Sequence, residues 1–91
     1  MSESILQDTK ECYFTGSQCG LDRHHVYGGP NRKNSEKYGC WVYLKHNIHM
    51  DLHERDKRMD LRLKQDCQRA FEKIYDRETF MRIFGRNYLD D

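Results

Sequence analysis

The residues best equipped for chemistry in this 91-residue chain are histidines, and four of the five fall into two groups. One is the doublet His24-His25; the other is His49 and His53, at H-x3-H spacing. Three neutral imidazoles suffice to hold a divalent metal with open coordination positions, and a fourth beside them can move a proton. Such a set is suited to hydrolysing a phosphodiester. On a helix, residues at i and i+4 present their side chains on one face, about a turn apart. His49 and His53 meet that condition if a helix or tight turn begins near His49. A third ligand must then come from the doublet. Successive side chains on a strand point to opposite sides, so His24 and His25 should not both bind one metal.

Several elements must position these groups. Residues 11–16 hold a short apolar run ended by a turn signal. Residues 20–27 read as an extended segment stopped by Gly28-Gly29-Pro30-Asn31, where glycine permits positive φ and proline fixes the exit. Cys40-Trp41-Val42-Tyr43-Leu44 is the clearest strand, rich in β-branched and aromatic residues. The two strands are expected to pair as a ribbon with a long loop between them, and residues 34–39 of that loop read as a single helical turn or as irregular chain. From Asp56 to about Tyr75 the period is helical, with Met59, Leu63, Cys67, Ala70 or Phe71, and Ile74 on one face. Asp76 is placed to cap a last helix, Arg77 to Phe84, that Gly85 would stop, with Phe80, Ile83 and Phe84 inward. The expected fold class is α+β. Residues 1–9 read as a frayed polar leader and residues 10–91 as one domain, with a helical extension over 56–84.

Charged residues make up 34% of the chain, yet six Tyr, four Phe and a Trp argue for a folded domain over a disordered tail. A bound metal would help so thin a core. Net charge is only +1, but Arg23, Arg32, Lys33 and Lys37 concentrate beside the histidine doublet against Asp22 and Glu36. A local basic stretch of this kind suits phosphate contacts. The N-terminus has neither a basic nor an apolar region of a secretion signal, and no run approaches a membrane span. A cytoplasmic protein with no membrane partner is expected. Cys12, Cys19, Cys40 and Cys67 form no C-x2-C pair, which favours free thiols in a reducing compartment over disulfides or a zinc knuckle.

The run D-R-H-H-V-Y-G-G-P, followed by W-V-Y-L and K-H-N-I-H-M-D-L-H, resembles the ββα-metal, treble-clef-like core of HNH (His-Me finger) endonucleases. The phrases R-K-N-S-E-K-Y-G-C-W-V-Y-L, D-L-R-L-K-Q and F-M-R-I-F-G-R-N-Y-L are similar to small phage-type HNH proteins, so the resemblance runs from Cys12 to Leu89. The colicin DNase branch is most alike. That resemblance implies His24, His49 and His53 as metal ligands, His25 as general base, and Asp22 as a carboxylate orienting an imidazole. It implies a metal-dependent endonuclease of DNA leaving 5′-phosphate and 3′-hydroxyl ends, with His25 activating water and one divalent metal (Mg, Mn, Ni or Zn) stabilising the leaving group. It also implies a bacterial host cell, with the chain phage-encoded. Ninety-one residues leave no room for a separate reading domain, so targeting would call for a homodimer or a protein partner.

Two departures stand out. The knuckle positions of many HNH proteins read Cys12…Thr15 and Lys45…Ile48 here, so a four-cysteine zinc site cannot form. The family's central asparagine, due near Tyr38, Gly39 or Cys40, is missing; Asn31 and Asn34 lie earlier and are the nearest substitutes. His46-Asn47-Ile48-His49 spells H-N-H only by coincidence of letters. These departures keep a non-catalytic alternative open: a metal-stabilised nucleic-acid-binding, phage assembly or regulatory module.

Overall fold

A computed structural model describes residues 3–89. Met1, Ser2, Asp90 and Asp91, the ends of the expected leader and domain, lie outside the described residues. Strands β1 (Leu21–His25) and β2 (Trp41–Lys45) pair antiparallel, setting His24 opposite Val42 and His25 opposite Trp41. A 3-10 turn (Gly29–Asn31) and helix α1 (Arg32–Tyr38) lie between the strands. Helix α2 (His46–Glu54) leaves β2 without a connecting residue, and α3 (Lys57–Ile74) and α4 (Arg77–Phe84) complete the α+β domain.

Alternation along the ribbon divides it into two faces. Val42 and Leu44 on one face are fully buried, sharing the interior with Leu52 of α2 and Leu63, Cys67 and Phe71 of α3. His24 and Asp22 belong to this inner face. On the other lie Arg23, His25, Trp41 and Tyr43.

The loop between the strands is more ordered than one helical turn. Pro30 sets the first turn of the 3-10 segment, and Gly39 ends α1 in the left-handed region at φ 74°. A Cβ at Gly39 would also collide with the carbonyl of Glu3. Ser35 faces inward from α1, fully buried; its hydroxyl accepts from the Tyr27 amide at 3.1 Å and donates to the Tyr27 carbonyl at 2.7 Å. One side chain thus locks the segment that leaves the histidine doublet.

The N-terminal segment is docked where the composition predicts fraying. The Ile5 amide donates to the Gly39 carbonyl at 2.9 Å, and the Ser4 hydroxyl to the Trp41 carbonyl at 2.5 Å. Tyr43 donates its amide to Gln7 Oε1 at 2.8 Å, and its carbonyl accepts from the Tyr13 amide at 2.9 Å. These bonds occupy the edge of β2 that β1 leaves open, and an unpaired edge is costly or sticky.

Both C-terminal helices follow their sequence signals. Asp56 accepts the Met59 amide at 2.9 Å, Asp76 accepts the Thr79 amide at 2.7 Å, and Gly85 closes α4 at φ 76°. Phe80 and Phe84 are buried against Tyr27 and Phe71, whereas Ile83 is half-buried. Ile74 departs from that expectation: at 56% exposure it lies outside the core, since the last turn of α3 turns this side chain toward solvent. Buried Gln68 ties the tail to α3, donating to Glu72 and Asn87 and accepting from the Tyr88 amide, each at 2.8 Å. All four cysteines are free. No helix among the described residues is long and apolar enough to cross a membrane.

Candidate metal centre

His24 ends the inner face of β1, while His49 and His53 stand one turn apart on α2. Because α2 starts directly after β2, and β2 is hydrogen-bonded to β1, the helix face carrying both histidines lies over the strand carrying His24. One nitrogen from each ring lies within 4.8 Å of the others. The ring centroids of His24 are 5.1 Å from His49 and 5.5 Å from His53.

The hydrogen bonds define which nitrogens are available. Asp22 Oδ2 accepts from His49 Nδ1–H at 3.0 Å and from His46 Nδ1–H at 2.7 Å. Both bonds, that from His49 first, hold Asp22 below its ordinary pKa. A carboxylate accepts only, so His49 carries its proton on Nδ1 and turns the Nε2 lone pair inward. His53 Nε2 is 3.0 Å from His49 Nε2 and donates to it. An ion held by both Nε2 atoms requires His53 to carry its proton on Nδ1 instead. His24 Nε2 is buried and, among the described residues, is the one enclosed side-chain nitrogen or oxygen without a hydrogen-bond partner. Leaving such an atom unsatisfied costs about 1–3 kcal/mol.

Burial, followed by the charge that His49 and His53 would carry, pushes His24 down to about 4. At neutral pH its ring is uncharged and offers a lone pair. An orphaned buried nitrogen, an oriented second imidazole and a third imidazole on the solvent side therefore fit a divalent metal, on donors that suit Zn, Ni or Mn better than Mg.

His25 is turned the other way. Its Nε2–H donates to Glu36 Oε1 at 3.0 Å, and its side chain is only 13% exposed. Arg23 Nη1 reaches both oxygens of Glu36, at 3.1 and 3.3 Å, and the guanidinium carbon sits 3.6 Å from the centroid of the Trp41 ring. The bond from His25, together with the charge of Arg23 and against the penalty of burial, holds Glu36 below its ordinary pKa.

Of the four expected phosphate contacts, Arg32, Lys33 and Lys37 are exposed on α1, whereas Arg23 spends its guanidinium on Glu36 and Trp41. His46 is 70% exposed at its side chain, consistent with a solvent-facing ring, but is tethered to Asp22. Asn31 and Asn34 do not brace the doublet; their amides donate to the carbonyls of Phe84 and Ile83 at the end of α4. Ser35 does the bracing. Neither Ser35 nor Glu36 was legible as functional, because only a helix over residues 32–38 brings both toward β1. The opposite charges of Arg23 and Glu36 flanking the loop were the single sequence signal.

No protein-family model, curated protein or solved structure matches the chain.

Proposed function

We propose that this protein is a metal-dependent endonuclease of the HNH type, hydrolysing phosphodiester bonds in DNA on a ββα-metal, treble-clef-like core. The observation that carries the reading is the clustering of His24, whose buried Nε2 has no partner, with His49 and His53, and a second histidine next to it on the opposite face. Cys12 supports the treble-clef likeness. Burial raises its thiol, but hydrogen bonds from the Thr15 side chain and the backbones of Lys45, Thr15 and Phe14 outweigh this and lower it. The turn after Cys12 is thereby joined to the junction of β2 and α2, the two places that other family members staple with zinc.

His24, His49 and His53 would hold the ion, and Asp22 keeps His49 in the ligating tautomer. When bound, a divalent ion supplies positive charge to a phosphate oxygen and to the leaving oxygen as negative charge develops there. His25 takes the proton of the attacking water on Nδ1, the nitrogen that Glu36 leaves unprotonated. Arg32, Lys33 and Lys37 give α1 an exposed cationic surface for the backbone of the nucleic acid. DNA is the substrate this reading favours, in the cytoplasm of a bacterial host.

Supercoiled plasmid incubated with the protein and Mg, Mn, Ni or Zn tests the reading, beside His25→Ala and His49→Ala. Nicking by the wild type that both substitutions reduce by about 100-fold or more is expected. Wild-type protein that never cuts, yet melts higher with metal, is instead a metal-stabilised binding module.

A further inference from the structure

The carboxylate that the sequence places beside the doublet, Asp22, is taken by His49 and His46. A second carboxylate, from a helix thirteen residues further along than Arg23, serves the other histidine. We propose that Glu36, clamped by Arg23, is a positioning residue that fixes the tautomer and ring orientation of His25 for proton abstraction. The proposal rests on the nuclease reading above.

Arg23 and His25, two residues apart on β1, share its outer face, and Glu36 reaches both. Glu36 Oε1 accepts from His25 Nε2–H at 3.0 Å and from Arg23 Nη1 at 3.1 Å, while Oε2 accepts from the same Arg23 nitrogen at 3.3 Å. An ionised carboxylate has no proton to give, so the His25 proton must sit on Nε2 and the lone pair on Nδ1. The guanidinium cannot swing away freely, since it stacks on Trp41 directly across the ribbon from His25. Trp41, Arg23, Glu36 and His25 form one chain of contacts whose last member has a single acceptor nitrogen. An imidazole without that hold would sample both tautomers and several rotamers, and fewer encounters with water would find a lone pair in place.

A spectroscopic readout separates this role from mere folding. In one-bond 15N–1H spectra of the full chain, recorded with EDTA and again with zinc, His25 Nε2–H is expected as a protected resonance. Glu36→Ala should abolish it while the circular dichroism and melting remain those of a folded domain. Glu36→Gln, which retains an acceptor oxygen at the same reach, should restore it. In plasmid or oligonucleotide cleavage, Glu36→Ala should lower kcat by roughly ten- to hundredfold, with KM within about twofold of wild type, and Glu36→Gln should recover most of the loss. If Glu36→Ala fails to fold, Glu36→Asp keeps the charge but not the reach and should lose the resonance equally. A His25 signal unchanged in these variants, or equal loss of kcat in Glu36→Ala and Glu36→Gln with the resonance intact, overturns the proposal. Wild-type protein that fails to cut with any of the metals removes the nuclease reading and the catalytic part of this one, while the resonance still reports whether Glu36 holds the ring.

Discussion

The two faces of β1 treat adjacent histidines in opposite ways. On the inner face His24 is almost completely enclosed, its Nε2 has no hydrogen-bond partner, and its ring lies against those of His49 and His53. On the outer face His25 is also well covered, yet it is paired with a carboxylate that an arginine holds in turn. Strand alternation creates the difference; the neighbours give it chemical meaning. One face brings three imidazoles together and leaves the buried nitrogen of His24 unsatisfied, an arrangement that suits a cation. The other assembles donors and acceptors that already satisfy one another, the arrangement that holds a ring still.

The largest separation of the two faces should come with acid. The folded state keeps His24 neutral down to about pH 4, whereas an unfolded chain protonates it near 6.5. The unfolded state therefore binds more protons between those values, so stability should fall as pH drops through that window, by roughly 3 kcal/mol in total. Glu36 is depressed in the same direction, but from the carboxylate range. Its contribution is complete above the ordinary carboxylate value and is lost as pH falls from there through the lower folded-state value, so it goes at lower pH than that of His24. Urea unfolding of the metal-free protein from pH 7 to pH 4 checks this. His24→Leu should flatten the curve, and an unaltered slope would mean that another group dominates the acid response.

Metal should stabilise through the inner face alone. At a free zinc or nickel concentration a hundredfold above Kd, binding is worth about 2.7 kcal/mol, or roughly 10–20 °C in Tm for a domain of this size. His24→Ala and His49→Ala should remove the shift, and His25→Ala should keep it. Loss of the shift in His25→Ala would break the division between the faces.

How much of this was legible depends on range. The spacing of His49 and His53, the caps at Asp56 and Asp76, and the stop at Gly85 act within one or two turns of chain, so local pattern exposes them. Strand alternation was enough to predict that His24 and His25 part company. The docked N-terminal segment was not legible, because its reason is the open edge of β2, some 37 residues away at the Ser4–Trp41 bond. The same holds for Glu36 and Ser35. Their roles depend on α1 forming and turning inward, and a segment as polar as R-K-N-S-E-K carries little periodic signal of a buried face. Only Ser35 is buried there, and one serine does not make a stripe.

The smallest effect should also be the sharpest test of whether the faces act independently. Arg23→Lys keeps the positive charge beside Glu36 but loses the planar group that lies on Trp41. Because Arg23 is 28% exposed at its side chain, the cost should be modest, about 0.5–1 kcal/mol and a few degrees of Tm. The ammonium can still pair with Glu36, but without the stack it fixes that carboxylate less well. The His25 Nε2–H resonance should broaden accordingly, short of the loss expected for Glu36→Ala. The zinc-induced rise in Tm should be unchanged, since Asp22 and His24 point to the opposite face of β1 from Arg23, the face over which His49 and His53 lie. A smaller zinc shift in Arg23→Lys would show that the pairing on the outer face is transmitted through β1 to the ligands, and that the two histidines, although they face apart, are tuned together.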